Sequence, residues 1–286
     1  MPTLTVTDGA TLFYKDWGQG QPIVFSHGWP LSADAWDGQM LALGQKGFRV
    51  IAHDRRGHGR SSQTWDGNRM DRYADDLAEL ITELDLRDAV LVGHSTGGGE
   101  IARYVGRHGT GRVAGLVLVG AVPPVMVSTP EWPDGLPVET FDEIRAGVAG
   151  NRSAFFRELP TKFYNFDRPG AESDEGLIAA FWLQGMMGSI KGQYDCIHEF
   201  SEVDYTPDLR AIDVPTLIVH GDDDQIVPIA HSAELSARII PDATLTVYEG
   251  ASHGLVHTHQ ARLTEDLLAF LSKVPAGARN RAAQEA

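Results

Sequence analysis

The residue best placed for chemistry is Ser95, at the centre of the stretch GHSTG at residues 93–97. An apolar run at 89–92 predicts a strand before it, and residues 98–107 predict a helix after it. Glycine two positions to either side lets a sharp strand-to-helix turn close, because a Cβ atom there would block the passing chains. Such a turn lifts the serine hydroxyl above the sheet and sets the Thr96 N–H at a helix N-terminus, where it stabilises an oxyanion. The pattern predicts a serine nucleophile for acyl transfer.

The same glycines also fit a phosphate-binding turn. Residues 97–102 match the loose dinucleotide pattern G-x-G-x-x-A. That pattern needs an acidic residue about 20 positions further on for the ribose hydroxyl, yet residues 101–130 contain no Asp or Glu. No Lys-Ser or Lys-Thr pair follows, as a P-loop requires. The sequence therefore favours the nucleophile over a nucleotide cofactor.

A serine nucleophile needs a base and an acid that orients the base. His253 lies in the stretch GASHG, directly after a predicted strand, and its small neighbours leave the imidazole free to reach a site. The stretch VPTLIVHGDDD at residues 214–224 ends another strand and releases three consecutive carboxylates, Asp222, Asp223 and Asp224. We expect one of the three to orient His253 Nδ1, and the spacing alone does not choose among them.

Two further loops follow predicted strands. The stretch FSHGWP at residues 25–30 contains a His-Gly-X turn, which offers a backbone N–H to an oxyanion, here that of Trp29. The stretch DRRGHGRS at residues 54–61 is interpreted as structural, a loop tied down by charge and glycine turns. The candidate chemistry therefore collects at strand ends.

The elements that must position these residues alternate between strand and helix. Strands are predicted at residues 4–6, 11–17, 23–26, 50–54, 90–93, 113–119, 216–220 and 245–247. Helices are predicted at residues 34–45, 71–84, 98–107 and 260–271. Short continuous apolar runs indicate strands buried on both faces, which means a parallel sheet with helices on either side.

The pattern changes between residues 121 and 200. Strand-like runs stop, Pro and Gly become frequent, and aromatic residues gather, among them Trp132, Phe155, Phe156, Phe163, Phe181 and Trp182. We predict a helical lid at residues 121–200 whose inner face walls an apolar pocket, inserted into a core formed by residues 1–120 and 201–275. Residues 276–286 are predicted to form a C-terminal tail.

Composition narrows the function classes. The chain has 286 residues and a formal net charge of −15, with no basic run, so a nucleic-acid partner is disfavoured. The single cysteine, Cys196, excludes an intrachain disulfide. The N-terminus lacks the regions of a signal peptide, and no apolar run approaches the roughly 20 residues of a membrane span. We expect a cytoplasmic protein with no membrane partner.

Together these stretches resemble a known superfamily. The order HGWP, DRRGHGRSS, GHSTGGGE, HGDDDQIVP and ASHG is similar to that of the α/β-hydrolases. More narrowly, it is similar to the cofactor-free haloperoxidases (perhydrolases) and their aryl-esterase relatives, over residues 3–271. The resemblance implies an α/β-hydrolase fold: a mostly parallel eight-stranded sheet, helices on both faces and an inserted helical lid.

The resemblance also assigns roles to residues. It implies Ser95 as the nucleophile, His253 as the base and Asp224 as the acid, in the chain order Ser, acid, His. The oxyanion hole would consist of the Trp29 and Thr96 N–H groups.

Pro30 and His94 carry further expectations. The HGWP form is typical of the perhydrolase branch, and proline fixes its own φ and biases Trp29 towards extended geometry. We expect this loop to aim a backbone carbonyl at the site, where it holds hydrogen peroxide against the acyl-enzyme. His94, where relatives often have Phe, is interpreted as a packed neighbour of Ser95.

The implied activity is that of an esterase and perhydrolase that acts without metal or cofactor. Its partners would be a small-molecule ester or carboxylic acid and hydrogen peroxide, and the chain would form a homo-oligomer. A lactonase or small cyclic amidase of the same family is the alternative.

Other classes also stay open. His253, His257 and His259 have the spacing H-x3-H-x-H, and His220 stands beside the run of three aspartates. This leaves a metal-dependent enzyme as an alternative, although no HExxH occurs. A non-catalytic small-molecule receptor can keep such a triad. A dehalogenase is disfavoured, because it places Asp where this chain has Ser95.

Overall fold

A computed structural model describes residues 2–274. The strands are β1 (Thr3–Thr5), β2 (Thr11–Trp17), β3 (Pro22–Ser26), β4 (Arg49–His53), β5 (Ala89–His94), β6 (Val113–Val119), β7 (Thr216–Gly221) and β8 (Ala243–Tyr248). The helices are α1 (Asp37–Gly44), α2 (Met70–Glu83), α3 (Thr96–His108), α4 (Val138–Ala149), α5 (Arg152–Glu158), α6 (Pro160–Phe163), α7 (Glu175–Met187), α8 (Ile190–Ser201), α9 (Thr206–Arg210), α10 (Ala233–Ile239), α11 (Leu255–Thr258) and α12 (Gln260–Leu271). Short 3-10 turns occupy Ala33–Trp36 and Ile229–His231.

The eight strands form one sheet in the order β1-β2-β4-β3-β5-β6-β7-β8. From β4 to β8 all neighbouring strands run parallel, whereas β1 and β2 add an antiparallel edge. Parallel neighbours need crossover connections, and the helices in these crossovers cover both faces of the sheet. The predicted mostly parallel, eight-stranded α/β sheet is confirmed.

Successive residues of the central strands face opposite sides of the sheet. Ile23 and Phe25 of β3 pack with α1 and α12, whereas Val24 packs with α2 and α3, and all three are fully buried. Strand β8 differs, because it is the outermost strand and Val247 is 42% exposed. The expectation that every apolar run is buried on both faces is therefore wrong for β8.

Two helices begin elsewhere than the pattern predicts. Helix α3 begins at Thr96 rather than at residue 98, directly after the turn. The helix predicted at 34–45 is divided into the 3-10 turn and α1, and Ser32 Oγ accepts the Asp34 N–H at the start of the 3-10 turn. The earlier start of α3 matters for the site, because it makes Thr96 the first residue of that helix.

Helices α4 to α8 lie in the chain between β6 and β7. Buried Phe141, Phe156 and Phe200 of this segment form one apolar cluster with Trp29, which follows β3. The domain boundaries drawn at residues 121 and 200 stay a prediction, and the predicted tail at 276–286 lies outside the described residues. Within residues 2–274, no helix is long and apolar enough to cross a membrane.

Candidate active site

Ser95 stands in the turn between β5 and α3, at the carboxyl edge of the sheet. Its backbone has φ 54° and ψ −119°, a region that a non-glycine residue rarely adopts. The turn closes because of its glycines: a Cβ on Gly93 would lie 2.3 Å from the Gly97 carbonyl oxygen, and one on Gly97 would lie 2.1 Å from that of Ser26. The serine is thereby held where it lines a cavity.

His253 joins the serine hydroxyl and a carboxylate in one hydrogen-bonded chain. Its Nε2 lies 2.9 Å from Ser95 Oγ, and its Nδ1 lies 2.7 Å from Asp224 Oδ2. Because an ionised carboxylate only accepts, we assign the proton to Nδ1, which leaves Nε2 to accept from the serine hydroxyl. The loops after β5, β7 and β8 carry the three residues, so the parallel sheet brings them together at one edge.

The other two carboxylates after β7 turn elsewhere. Asp222 accepts the Gly250 N–H at 2.6 Å. Asp223 forms an ion pair with Arg168, whose Nε lies 2.8 Å from Oδ2. The spacing in the sequence left three carboxylates as candidates, and Asp224 is the one that lies beside His253.

Asp224 is held as a carboxylate by its surroundings. Its Oδ1 accepts the N–H groups of Ile226 and Val227 at 2.9 and 2.8 Å. Burial opposes ionisation, but the attraction of His253 and the hydrogen bonds from His220 and His253 outweigh it, so the pKa of Asp224 lies well below the usual range. At neutral pH this carboxyl is therefore ionised.

From the sequence His220 enters only the metal-dependent alternative, yet it lies beside Asp224 inside the site. Its Nε2 lies 2.8 Å from the Val227 carbonyl oxygen and 3.3 Å from Asp224 Oδ2. It is fully buried. The one signal in the sequence is its position four residues before Asp224.

Two backbone N–H groups near Ser95 have no hydrogen-bond partner in the part of the chain that the structure describes. Within residues 2–274, neither the Trp29 N–H nor the Thr96 N–H donates a hydrogen bond. Thr96 opens α3, where the helix dipole is positive, and both residues line the same cavity as Ser95. The loop that carries Trp29 lies against the turn, since a Cβ on Gly28 would lie 3.1 Å from Ser95 Cβ. Two donors are therefore available for an oxyanion.

Pro30 follows Trp29 in this loop, and the peptide bond between them is cis. The Gly28 carbonyl accepts the Leu31 N–H at 3.0 Å. The Trp29 carbonyl, by contrast, accepts no hydrogen bond from any residue in the described part of the chain. The loop thus holds one acceptor atom without a protein partner.

His94, the residue before Ser95, packs directly against His253. The two ring centroids are 4.9 Å apart, and His94 Nε2 lies 3.0 Å from the His253 carbonyl oxygen. Burial, reinforced by the charge of His253, holds the pKa of His94 well below its usual value. A neutral His94 therefore donates from Nε2 to the His253 backbone.

The cavity above Ser95 has a volume of about 630 Å³, the size of a small-molecule site. Its apolar lining includes Val122, Met126, Phe141, Phe155, Phe163 and Phe200. The exposed charged residues on its lining are Glu143, Glu158, Asp167 and Lys162. An apolar interior below an acidic rim suits an uncharged acyl or aryl group.

The histidines of the H-x3-H-x-H stretch do not share a site. His257 Nδ1 lies 3.1 Å from the Tyr164 hydroxyl, and His259 Nδ1 lies 2.9 Å from Thr258 Oγ1. Among residues 2–274, no cluster of three or more His, Cys, Asp or Glu side chains is arranged to hold a metal ion. The metal-dependent alternative therefore has no set of ligands in this part of the chain.

A serine, a histidine and an aspartate joined by hydrogen bonds at one edge of an eight-stranded α/β sheet are the arrangement that defines the α/β-hydrolase class. Residues 21–260 match the family described as alpha/beta hydrolase fold. The chain is 58% identical over 272 residues to a non-heme haloperoxidase of Rhodococcus erythropolis, covering 95% of this chain and 99% of that one. It is 50% identical over 274 residues to a bifunctional esterase/perhydrolase of Acinetobacter calcoaceticus, with the same coverage.

A solved structure agrees with these sequence matches. The crystal structure of a bromoperoxidase from Bacillus anthracis superimposes with a TM-score of 0.89 at 40% identity, over 92% of this chain and 96% of that one. The chain therefore belongs to the α/β-hydrolase family and, within it, to the group of the non-heme haloperoxidases and esterase/perhydrolases.

Proposed function

We propose that this chain transfers acyl groups from small esters through a covalent serine intermediate, to water as an esterase and to hydrogen peroxide as a perhydrolase. The observation that carries the proposal is the chain of hydrogen bonds from Ser95 Oγ through His253 to Asp224, at 2.9 and 2.7 Å. The relatives named as a haloperoxidase and an esterase/perhydrolase support the same two reactions.

Acylation begins with attack of Ser95 Oγ on the ester carbonyl while its proton passes to His253 Nε2. Asp224 keeps the other imidazole proton on Nδ1 and stabilises the imidazolium. The carbonyl oxygen becomes an oxyanion that accepts from the Trp29 and Thr96 N–H groups, each worth roughly 3–4 kcal/mol in the transition state. The intermediate collapses when the alcohol takes the proton from Nε2 and leaves the acyl group on the serine.

Deacylation repeats these steps with a new nucleophile. Water gives its proton to His253 and releases a carboxylic acid, whereas hydrogen peroxide releases a peracid. When a free carboxylic acid is the acyl source, the group that leaves during acylation is water. A released peracid transfers its terminal oxygen to bromide in solution, which gives hypobromous acid and the carboxylate.

The loop at Trp29 and Pro30 is the part of the site to which we assign the choice between water and peroxide. The Trp29 carbonyl, which accepts no hydrogen bond within residues 2–274, is the acceptor for the O–H on the second oxygen of hydrogen peroxide, an oxygen that water lacks. The rate ratio of perhydrolysis to hydrolysis on a panel of small esters measures this choice. A ratio that stays near the value for unassisted competition between the two nucleophiles would contradict the assignment.

The segment 121–200 acts in this proposal as a lid on the core formed by residues 1–120 and 201–275. Much of the apolar lining of the cavity comes from this segment, including Val122, Met126, Phe155 and Phe163. An enclosed apolar cavity strengthens the hydrogen bonds made in the transition state, because it excludes water.

Replacement of the nucleophile tests the mechanism directly. Ser95→Ala should abolish both p-nitrophenyl acetate hydrolysis and peroxide-dependent bromination. Ser252→Ala is a suitable control, because its buried Oγ has no hydrogen-bond partner within residues 2–274, and it should keep both activities. An Ser95→Ala variant that retains either activity would show that reaction to be independent of the acyl-enzyme.

A receptor on the same fold differs from an enzyme in turnover. A fluorophosphonate should label Ser95, and the unlabelled protein should release more than one product molecule per chain. Labelling without turnover would favour the receptor.

A cytoplasmic location and self-association complete the proposal. Self-association rests on the family resemblance, and the buried free thiol of Cys196 is compatible with a reducing compartment. Cell fractionation and light scattering on the purified chain measure them.

A further inference from the structure

A buried ion pair joins the two parts of the chain that supply the oxyanion donors. Arg55 Nε and Nη2 lie 2.8 and 2.5 Å from Glu100 Oε2. His53 Nε2 lies 2.9 Å from Glu100 Oε1, so both carboxylate oxygens have partners. The Arg55 and Glu100 side chains are 1% and 0% exposed. Because burial of two charges is costly, this pair is weak evidence for stability by itself.

Arg55 also holds the loop that leads to Trp29. Its Nη2 donates to the His27 carbonyl at 2.7 Å, and its backbone N–H donates to His27 Nε2 at 3.0 Å. With Nε2 accepting, His27 Nδ1 carries the proton and donates to the Gly28 carbonyl at 2.9 Å. Three hydrogen bonds thus fix the two residues immediately before Trp29.

Glu100 lies on α3, four residues after Thr96 and therefore one turn from the start of the helix. Its carboxylate is the point at which α3 is tied to Arg55. The guanidinium consequently bridges two segments: the loop before Trp29 and the helix that begins with Thr96.

We propose that Arg55 and Glu100 are positioning residues that set the spacing between the Trp29 and Thr96 N–H groups of the oxyanion hole. The inference rests on the proposed function, because it concerns the rate of acyl transfer. Donors act only when they are placed for the oxyanion before the reaction, and a displacement of about 1 Å costs up to ~100-fold in rate. The stretch DRRGHGRS, interpreted from the sequence as structural, thereby acquires an indirect part in the chemistry.

The neighbouring ion pair of Arg56 and Asp76 is a matched control. Arg56 Nε and Nη2 lie 2.6 and 2.8 Å from the Asp76 oxygens, and the side chains are 1% and 3% exposed. The remaining Arg56 donor goes to Asp8. The side chains of this second pair are also little exposed, but within residues 2–274 they form no hydrogen bond or ion pair with the oxyanion loop or α3.

The experiment compares Glu100→Gln with Asp76→Asn in p-nitrophenyl ester hydrolysis. Both substitutions remove one buried charge, and both should lower the unfolding midpoint. Glu100→Gln should also lower kcat by about tenfold or more, with little change in KM. This loss is smaller than the ~100- to 1,000-fold loss of kcat that follows removal of an oxyanion-hole donor. The affinity for an arylboronic acid, which forms a tetrahedral adduct on the serine, should fall by the same factor as kcat. Asp76→Asn should keep both kcat and the boronic acid affinity.

The double variant Arg55→Met with Glu100→Leu covers the case in which Glu100→Gln does not fold. Replacement of both charges by apolar groups should recover much of the stability, while kcat stays low. A double variant with the kcat of the unaltered chain would overturn the proposal, and so would an equal loss of kcat in Asp76→Asn. If the unaltered chain hydrolyses no ester, the proposed function fails instead.

Discussion

The His94 ring donates a hydrogen bond from Nε2 to the His253 backbone carbonyl oxygen, and the two atoms are 3.0 Å apart. The two imidazole rings also pack against each other, with their centroids 4.9 Å apart. The residue before Ser95 therefore holds the backbone of His253, whose Nε2 faces the Ser95 hydroxyl. Burial keeps His94 neutral, so Nε2 donates and no second charge competes with the imidazolium.

Substitution of His94 by Phe should slow the reaction moderately. The ring packing is kept, but the buried His253 carbonyl loses its donor, which costs about 1–3 kcal/mol of stability. We expect kcat for p-nitrophenyl acetate to fall by about two- to tenfold, as the loss of about 0.5–1.5 kcal/mol of positioning implies. His257→Phe is the control, because its bond to Tyr164 lies outside the Ser–His–Asp chain. An unchanged kcat in His94→Phe would show that His94 acts only through packing and that its hydrogen bond does not affect the rate.

Substitution of Asp224 by Asn should nearly abolish turnover. An amide donates to Nδ1 and so favours the wrong tautomer of His253, a change that costs about 10⁴-fold in kcat in serine hydrolases. Asp223→Asn changes the same functional group in the adjacent residue, which pairs with Arg168 instead, and should leave kcat close to that of the unaltered chain. Steady-state kinetics of both variants decide between the two carboxylates.

The stability of the fold should decrease on acidification through the titration of Asp224. Its pKa is lower in the folded chain than the value of about 3.9 in the unfolded chain. The unfolded chain therefore takes up a proton first as the pH falls, and the free energy of unfolding declines from about pH 5 downwards. Above about pH 5 the contribution of Asp224 to the free energy of unfolding is constant. In urea unfolding at several pH values, the difference between the unaltered chain and Asp224→Asn should narrow towards pH 3; a constant difference would refute this origin.

The acidic rim of the cavity should disfavour anionic substrates. Glu143 and Glu158 are exposed and form no ion pair within residues 2–274, whereas Lys162 is the one cation on the lining of the described cavity. The double variant Glu143→Gln with Glu158→Gln removes two negative charges and should raise kcat/KM for an ester with a free carboxylate. We expect an increase of only about two- to fivefold at low salt, because solvent screens interactions between surface charges. A neutral ester of the same size should be unaffected, and Lys162→Met should act in the opposite direction. Equal changes for the neutral and anionic esters would exclude an electrostatic cause.

Local patterns predict most of the elements that carry the site. The strand from 113 to 119 and the helix from 260 to 271 have the predicted bounds, because continuous apolar runs and apolar periodicity are local properties of the chain. The bounds that differ are set by tertiary contacts. Helix α3 begins at Thr96 because the neighbouring strand end and the loop at Ser26 close the turn tightly around Gly97.

Local residue patterns are sufficient to predict the parallel sheet, the glycine turn around Ser95 and the family to which the chain belongs, since each depends on residue types at short spacing. The packing of the chain in three dimensions sets which of three adjacent carboxylates lies beside His253, because their side chains leave one loop in different directions. It also decided that His220 lies inside the site and that Arg55 meets Glu100, 45 residues away. Such contacts exist only after the strands and helices have packed together, and no local pattern records the distance between two side chains that the fold brings together.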